Sequence, residues 1–168
     1  MSLTSVTIIS PEAANGRNVV ALGVTKAFAA AKKTAVFRPA VCRKETFTDV
    51  LLEASNSGLS REQSVGVCPK RARTDKEGSR ADIVAAYTEA IETAQPEAVV
   101  VVGTDKSAIN DPSIFAFNAD VAADLSLSCF LPYAPSTALR NRSWALSEAS
   151  KTIIENAGSK VAGVFITG

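Results

Sequence analysis

The 168-residue sequence contains no histidine. That absence removes Ser-His-Asp triads, Cys-His dyads and the commonest metal ligand together, so any catalysis would rest on Asp, Glu, Lys, Arg or a bound cofactor. Cysteine is scarce: Cys42, Cys68 and Cys129 are an odd number, widely separated, with no C-x-x-C pair. Such a set suits reduced thiols rather than a disulfide framework or a zinc site, and each reads as a small buried hydrophobe. There is no apolar run near the roughly 18 residues a spanning helix needs, and no basic-then-apolar leader. Eighteen basic residues offset seventeen acidic ones, and a net charge of +1 gives no argument for nucleic acid or an anionic membrane as a partner. The expectation is a cytoplasmic protein that binds neither.

What is present is the composition of one ordered domain, with 46% hydrophobic residues. Ser5-Val6-Thr7-Ile8-Ile9 reads as a short buried strand, and Thr34-Ala35-Val36-Phe37 as a second, halted by Arg38-Pro39. Between them Val20, Val24, Ala27 and Ala31 share a helical face. Asp49 to Ala54 reads as a short helix, and Cys68 to Ser79 as a polar loop. Ile83, Tyr87 and Ile91 fall at i, i+4 and i+8 of a helix that Gln95-Pro96 ends. Ala98-Val99-Val100-Val101-Val102 has no alternation, as expected of a strand covered on both faces in a parallel sheet. Cys129 to Leu131, a helix over Leu139 to Asn156 and a strand over Val161 to Ile166 complete the order. Strands alternating with helices predict an α/β fold: a three-layer, mostly parallel open sheet of about five strands with helices on both faces.

The segment from Ser5 to Val24 carries the chemistry. A strand, a loop with Gly16 near its end, and a helix is the arrangement by which P-loop proteins hold phosphates on backbone N–H groups. The fingerprint is G-x-x-x-x-G-K-[ST]. Here Pro11 stands at the first glycine, Arg17 at the lysine and Asn18 at the magnesium-binding hydroxyl. Asn15, Gly16, Arg17 and Asn18 are therefore the candidate nucleotide or phosphate site, degenerate in sequence. Arg38, at the carboxyl edge of the second strand, is the candidate for a further anion contact, or else for a surface ion pair. Asp105, just past the unalternating strand, is the nearest carboxylate for a magnesium ion. The structural alternative is an inherited loop in which Gly16 permits a turn and Asn18 caps a helix. The charge run from Lys70 to Arg80 reads as a solvated face or a contact surface, and Trp144 as core or interface.

The order of these segments resembles the N-terminal domain of long-form bacterial phosphate acetyltransferases, itself similar to dethiobiotin synthetase. The matching pieces are Val6-Thr7-Ile8-Ile9, Gly16 to Gly23, Val36-Phe37-Arg38-Pro39, Arg73-Thr74-Asp75, Val99 to Gly103, Asn118 to Ala122 and Gly163-Val164-Phe165-Ile166. They cover nearly the whole chain.

The resemblance implies a non-catalytic regulatory or assembly domain. Its parent enzyme, in acetate metabolism, interconverts acetyl-CoA plus phosphate with acetyl phosphate plus CoA. The implied partners are a C-terminal catalytic domain of the same polypeptide, lying beyond this chain, and further copies in a homo-oligomer. Both ends accordingly read as cut: Met1-Ser2-Leu3 as a cloning remnant, and Thr167-Gly168 as a strand about to enter a loop. Nucleotide-hydrolysing relatives carry Lys then Thr or Ser where this chain has Arg17-Asn18, a lysine where it has Arg38, and Glu-Gly near Gly103-Thr104. These losses argue against hydrolysis and leave binding of a nucleotide with magnesium open. The alternative is an ATP-dependent, dethiobiotin-synthetase-like ligase or nucleotide-binding ATPase. A third option is a plain scaffold.

Overall fold

The structure, a computed structural model, describes residues 3–12, 16–42, 44–104, 113–133 and 140–167, the side chains of 140–145 excepted. β1 (Thr4–Ile8) leads to α1 (Arg17–Ala29), β2 (Thr34–Ala40), α2 (Phe47–Ala54) and β3 (Val65–Val67). α3 (Pro69–Thr74) and α4 (Lys76–Ala94) then precede β4 (Ala98–Val102), α5 (Ile114–Asp124), β5 (Ser128–Tyr133), α6 (Arg140–Asn156) and β6 (Lys160–Ile166). The strands form one six-stranded sheet in the order β3-β2-β4-β1-β5-β6, with every pair parallel. The chain winds from β1 out to β3, returns to β4 and then crosses to β5. The reversal puts a crevice at the carboxyl ends of β1 and β4, where open α/β sheets receive ligands.

β4 shows why the sheet needs two helical layers. All five of its residues are buried. Val99 and Val101 pack with Ile83 and Tyr87 of α4, while Val100 and Val102 pack with Ala21 of α1 and Leu51 of α2. Alternate side chains of one strand thus enter opposite cores, which is the physical content of an apolar run without alternation.

Several local expectations change. The described residues form six strands rather than about five, because Val65–Val67 pairs with β2 along the edge and three residues leave no legible period. β2 runs on through Arg38 and Pro39 with all seven residues buried, beside that short edge strand. The polar stretch after Cys68 is helical. Pro69 starts α3 at a position where a missing N–H costs nothing, and the Asp75 side chain caps α4 by accepting from the Gly78 N–H at 3.0 Å. Two of its arginines pair within the domain: Arg80 holds Asp124 of α5 through two bonds of 2.6 Å, and Arg71 pairs with Asp82. On α1 the buried positions are Arg17, Ala21 and Thr25; Val20 and Val24 are half-buried, and Ala27 and Ala31 exposed. Among the described residues no helix is long and apolar enough to cross a membrane. The side chain of Trp144 lies outside them.

Ile83 is fully buried between α4 and the sheet. I83A is expected to lower unfolding free energy by about 2–5 kcal/mol in urea titration, since the cavity cannot collapse against two strands. A loss under about 0.5 kcal/mol, the range of a surface substitution, would contradict this packing.

Candidate functional site

The loop after β1 ends at Gly16, which precedes α1 in a left-handed conformation (φ 76°) that favours glycine. A Cβ there would lie 2.7 Å from the Thr167 methyl. Thr167 is held in turn by its N–H on the Tyr133 carbonyl at 2.7 Å. Helix α1 therefore opens at the crevice behind a glycine, which has no side chain to cap it. Asn18 does not cap the helix. Its Oδ1 accepts from Nε and Nη2 of Arg17 at 3.2 and 2.9 Å.

Two arginines meet here. Arg17 is only 7% exposed and donates Nη1 to the Gly103 carbonyl at 2.8 Å. Arg38 is 3% exposed and donates Nε to the preceding carbonyl, Val102, at 3.0 Å. One guanidinium from α1 and one from β2 thus sit on consecutive carbonyls at the carboxyl end of β4. Arg38 also reaches the Thr48 hydroxyl at 3.2 Å and Glu45 at 3.4 Å, with its charge 5.8 Å from the Phe47 ring centre. It is a buried, partnered cation rather than a member of a surface ion pair.

The electrostatics follow from burial. Desolvation is the main force pushing the Arg38 pKa down, to about 10. The Glu45 charge and hydrogen bond oppose that, while the like charges of Arg17 and Arg61 add to it. For Glu45, burial alone would raise the carboxyl. Hydrogen bonding from the Thr48 hydroxyl, the Arg38 charge and the Thr48 and Phe47 N–H groups outweigh burial and hold it below its ordinary value. Glu45 serves α2 as an N-terminal cap, accepting from the Phe47 N–H at 3.0 Å and the Thr48 N–H at 3.1 Å.

Past β4, Gly103 donates its N–H to the Ile8 carbonyl at 3.0 Å. A Cβ on it would fall 2.7 Å from Ile9 and 3.0 Å from Asn118, so this glycine permits the close approach of β1 and α5. Asn118 is 2% exposed and closes a two-bond ring with the Thr104 backbone, accepting from its N–H at 3.1 Å and donating to its carbonyl at 2.9 Å. The Thr104 hydroxyl donates to the Ala40 carbonyl.

Of the residues singled out by sequence, Gly16, Arg17, Asn18 and Arg38 come together around the end of β4. Asn15 and Asp105 lie outside the described residues. Glu45, Thr48 and Asn118 were not anticipated. An acidic residue just ahead of a helix is a weak start signal that points to Glu45, and nothing local picks out Thr48. Asn118 sits inside a helix and gives no local signal. Among the described residues no group of three or more Cys, Asp or Glu side chains is arranged to hold a metal ion. Two of the cysteines expected in the core, Cys42 and Cys68, are exposed just past the ends of β2 and β3, and only Cys129 is buried.

No protein-family model matches the chain. Among solved structures it is similar to the kinase domain of the Escherichia coli tyrosine kinase ETK, with TM-score 0.62 and 13% identity over 98% of this chain and 67% of that one. It is similar also to the BceF tyrosine kinase domain, with TM-score 0.61 and 12% identity over 98% of this chain and 68% of that one. The VpsO kinase domain gives TM-score 0.59 and 13% identity, over 98% and 84%. These neighbours overturn the reading of the chain as a regulatory or assembly domain of a phosphate acetyltransferase. With it go the acetate-metabolism role, the catalytic-domain partner and the homo-oligomer. The segment order behind that resemblance belongs to the fold, and a fold of this kind hosts many activities. At such low identity the likeness is one of architecture: the chain has a P-loop-like α/β fold, a parallel six-stranded open sheet with helices, of the kind these kinase domains have.

Proposed function

We propose that the chain binds the phosphate groups of a nucleotide, ATP in the first instance, at the N-terminus of α1. The observation that carries this reading is the pair of buried guanidiniums, Arg17 and Arg38, on consecutive carbonyls beside that helix end. Two like charges out of water are costly unless countercharge is near. Glu45 supplies one carboxylate. A polyphosphate at the crevice would add acceptors for backbone N–H groups at the start of α1 and for guanidinium donors suited to phosphate. The neighbours named as tyrosine kinases support a nucleotide as the anion.

The reading is of binding without efficient turnover. Phosphoryl transfer leans on a lysine that follows the charge and on a hydroxyl or carboxylate that holds magnesium. Here arginine and asparagine occupy those loop positions, and the Asn18 oxygen is taken by Arg17. When bound, magnesium would neutralise charge between phosphates. Within this chain Asp105 is the proposed ligand for it.

Titration calorimetry with Mg-ATP is expected to give saturable binding, and R17A and R38A should each weaken it by roughly 10- to 100-fold, the loss of one charge-assisted contact. Absence of saturable heat at millimolar nucleotide would overturn the proposal.

The carboxylate that orients Arg38 also sets an acid limit. Because the folded Glu45 pKa is depressed, its stabilising contribution is complete above the ordinary carboxylate value and is lost as pH falls through the lower folded value. Acid unfolding followed by circular dichroism should therefore be shallower in E45Q, which starts less stable at neutral pH. Parallel curves for the two proteins would contradict the assignment.

A further inference from the structure

The two exposed cysteines share one cleft. Val41, Cys42, Arg61, Glu62, Gly66 and Cys68 line an open cavity of about 550 Å³ at the carboxyl ends of β2 and β3. The sheet explains why residues 26 positions apart in sequence meet there. β2 pairs with β3 through Ala40↔Val67, and the ladder continues one step further, with the Val41 N–H on the Val67 carbonyl at 3.1 Å. Val41 therefore lies opposite Cys68, and Cys42 one residue beyond. With strands about 4.8 Å apart and a rise of about 3.3 Å per residue, the two Cα atoms are about 6 Å apart, inside the range a disulfide spans. Both residues line the same cavity.

We propose that Cys42 and Cys68 form a dithiol site for low-molecular-weight disulfides, which convert it to an internal disulfide closing the cleft. One thiolate attacks a sulfur of the small disulfide. A mixed disulfide with the protein forms, the small S–S bond breaks and one small thiolate leaves. The second cysteine thiolate then attacks the protein sulfur of the mixed disulfide and expels the second small thiolate. Two electrons pass from the cysteines to the small disulfide, and the two cysteine protons end on two small thiols. Cys129 takes no part: it is buried against Ser159, and burial pushes its thiol up to about 11. This inference does not depend on the nucleotide reading.

The test exposes the full chain, under native conditions, to buffers of graded glutathione and glutathione disulfide, followed by acid quenching, alkylation and peptide mapping without reductant. The expected result is a Cys42–Cys68 cross-linked peptide, a whole-protein mass lower by two hydrogens, and reversal by dithiothreitol. C42S and C68S should each stop at the mixed disulfide, carrying one glutathione on the remaining exposed cysteine. Stable glutathione adducts on both cysteines of the unmodified sequence, without the internal link, would overturn the proposal. So would a pair that stays reduced at oxidising ratios, or a link that forms only after denaturation.

Discussion

The carboxyl end of β4 presents two consecutive carbonyls, Val102 and Gly103, and each is met by a guanidinium that has left water to reach it. Much of the crevice follows from those two bonds. Arg38 brings the end of β2 to β4 and, through Glu45, fixes the start of α2. Arg17 ties the first turn of α1 to the same edge and draws Asn18 into the arrangement. Asn118 and the Thr104 hydroxyl then lock the exit of β4 to α5 and to the Ala40 carbonyl. A buried cation must be hydrogen-bonded and countered, and both arginines meet the first requirement by organising backbone at the mouth of the sheet.

The sequence carried the architecture because parallel strands covered on both faces read as unbroken apolar runs. Ala98 to Val102 is the clear case, and its alternate valines do enter two cores. It concealed β3, where three residues have no period, together with α3 and the first turn of α4, where charge density masked the Pro69 start and the Asp75 cap. The face of α1 was misjudged for a different reason. Apolar spacing picked the valines and alanines, yet the crevice placed Arg17, Ala21 and Thr25 inward, with the Thr25 hydroxyl satisfied by the Ala21 carbonyl at 2.8 Å. Cys42 and Cys68 belong to a residue type usually buried, but they sit where strands end and the core stops.

The candidate site was legible in its chain positions and not in its bonding. Gly16 and Arg17 could be named from a loop of the right length between a strand and a helix, and Arg38 from its place at the carboxyl edge of the second strand. That Arg38 would be buried, and partnered by a residue seven positions on, depends on how α2 folds back over the sheet edge. Family identity failed at the same level. A succession of short apolar strands and helices is fixed by the needs of an open parallel sheet, so it is shared by proteins with unrelated chemistry. Structural likeness to kinase domains over 98% of the chain accords with that.

The central claim is that the N-terminus of α1 and the two guanidiniums form one anion site. Amide chemical shifts of isotope-labelled protein, followed through a titration with Mg-ATP, test it most directly. The account predicts saturable shifts at Gly16, Arg17 and Asn18 together with the Nε–H of Arg38, and little change along α4 and β6. Shifts confined to other surfaces, or none at millimolar nucleotide, would contradict it.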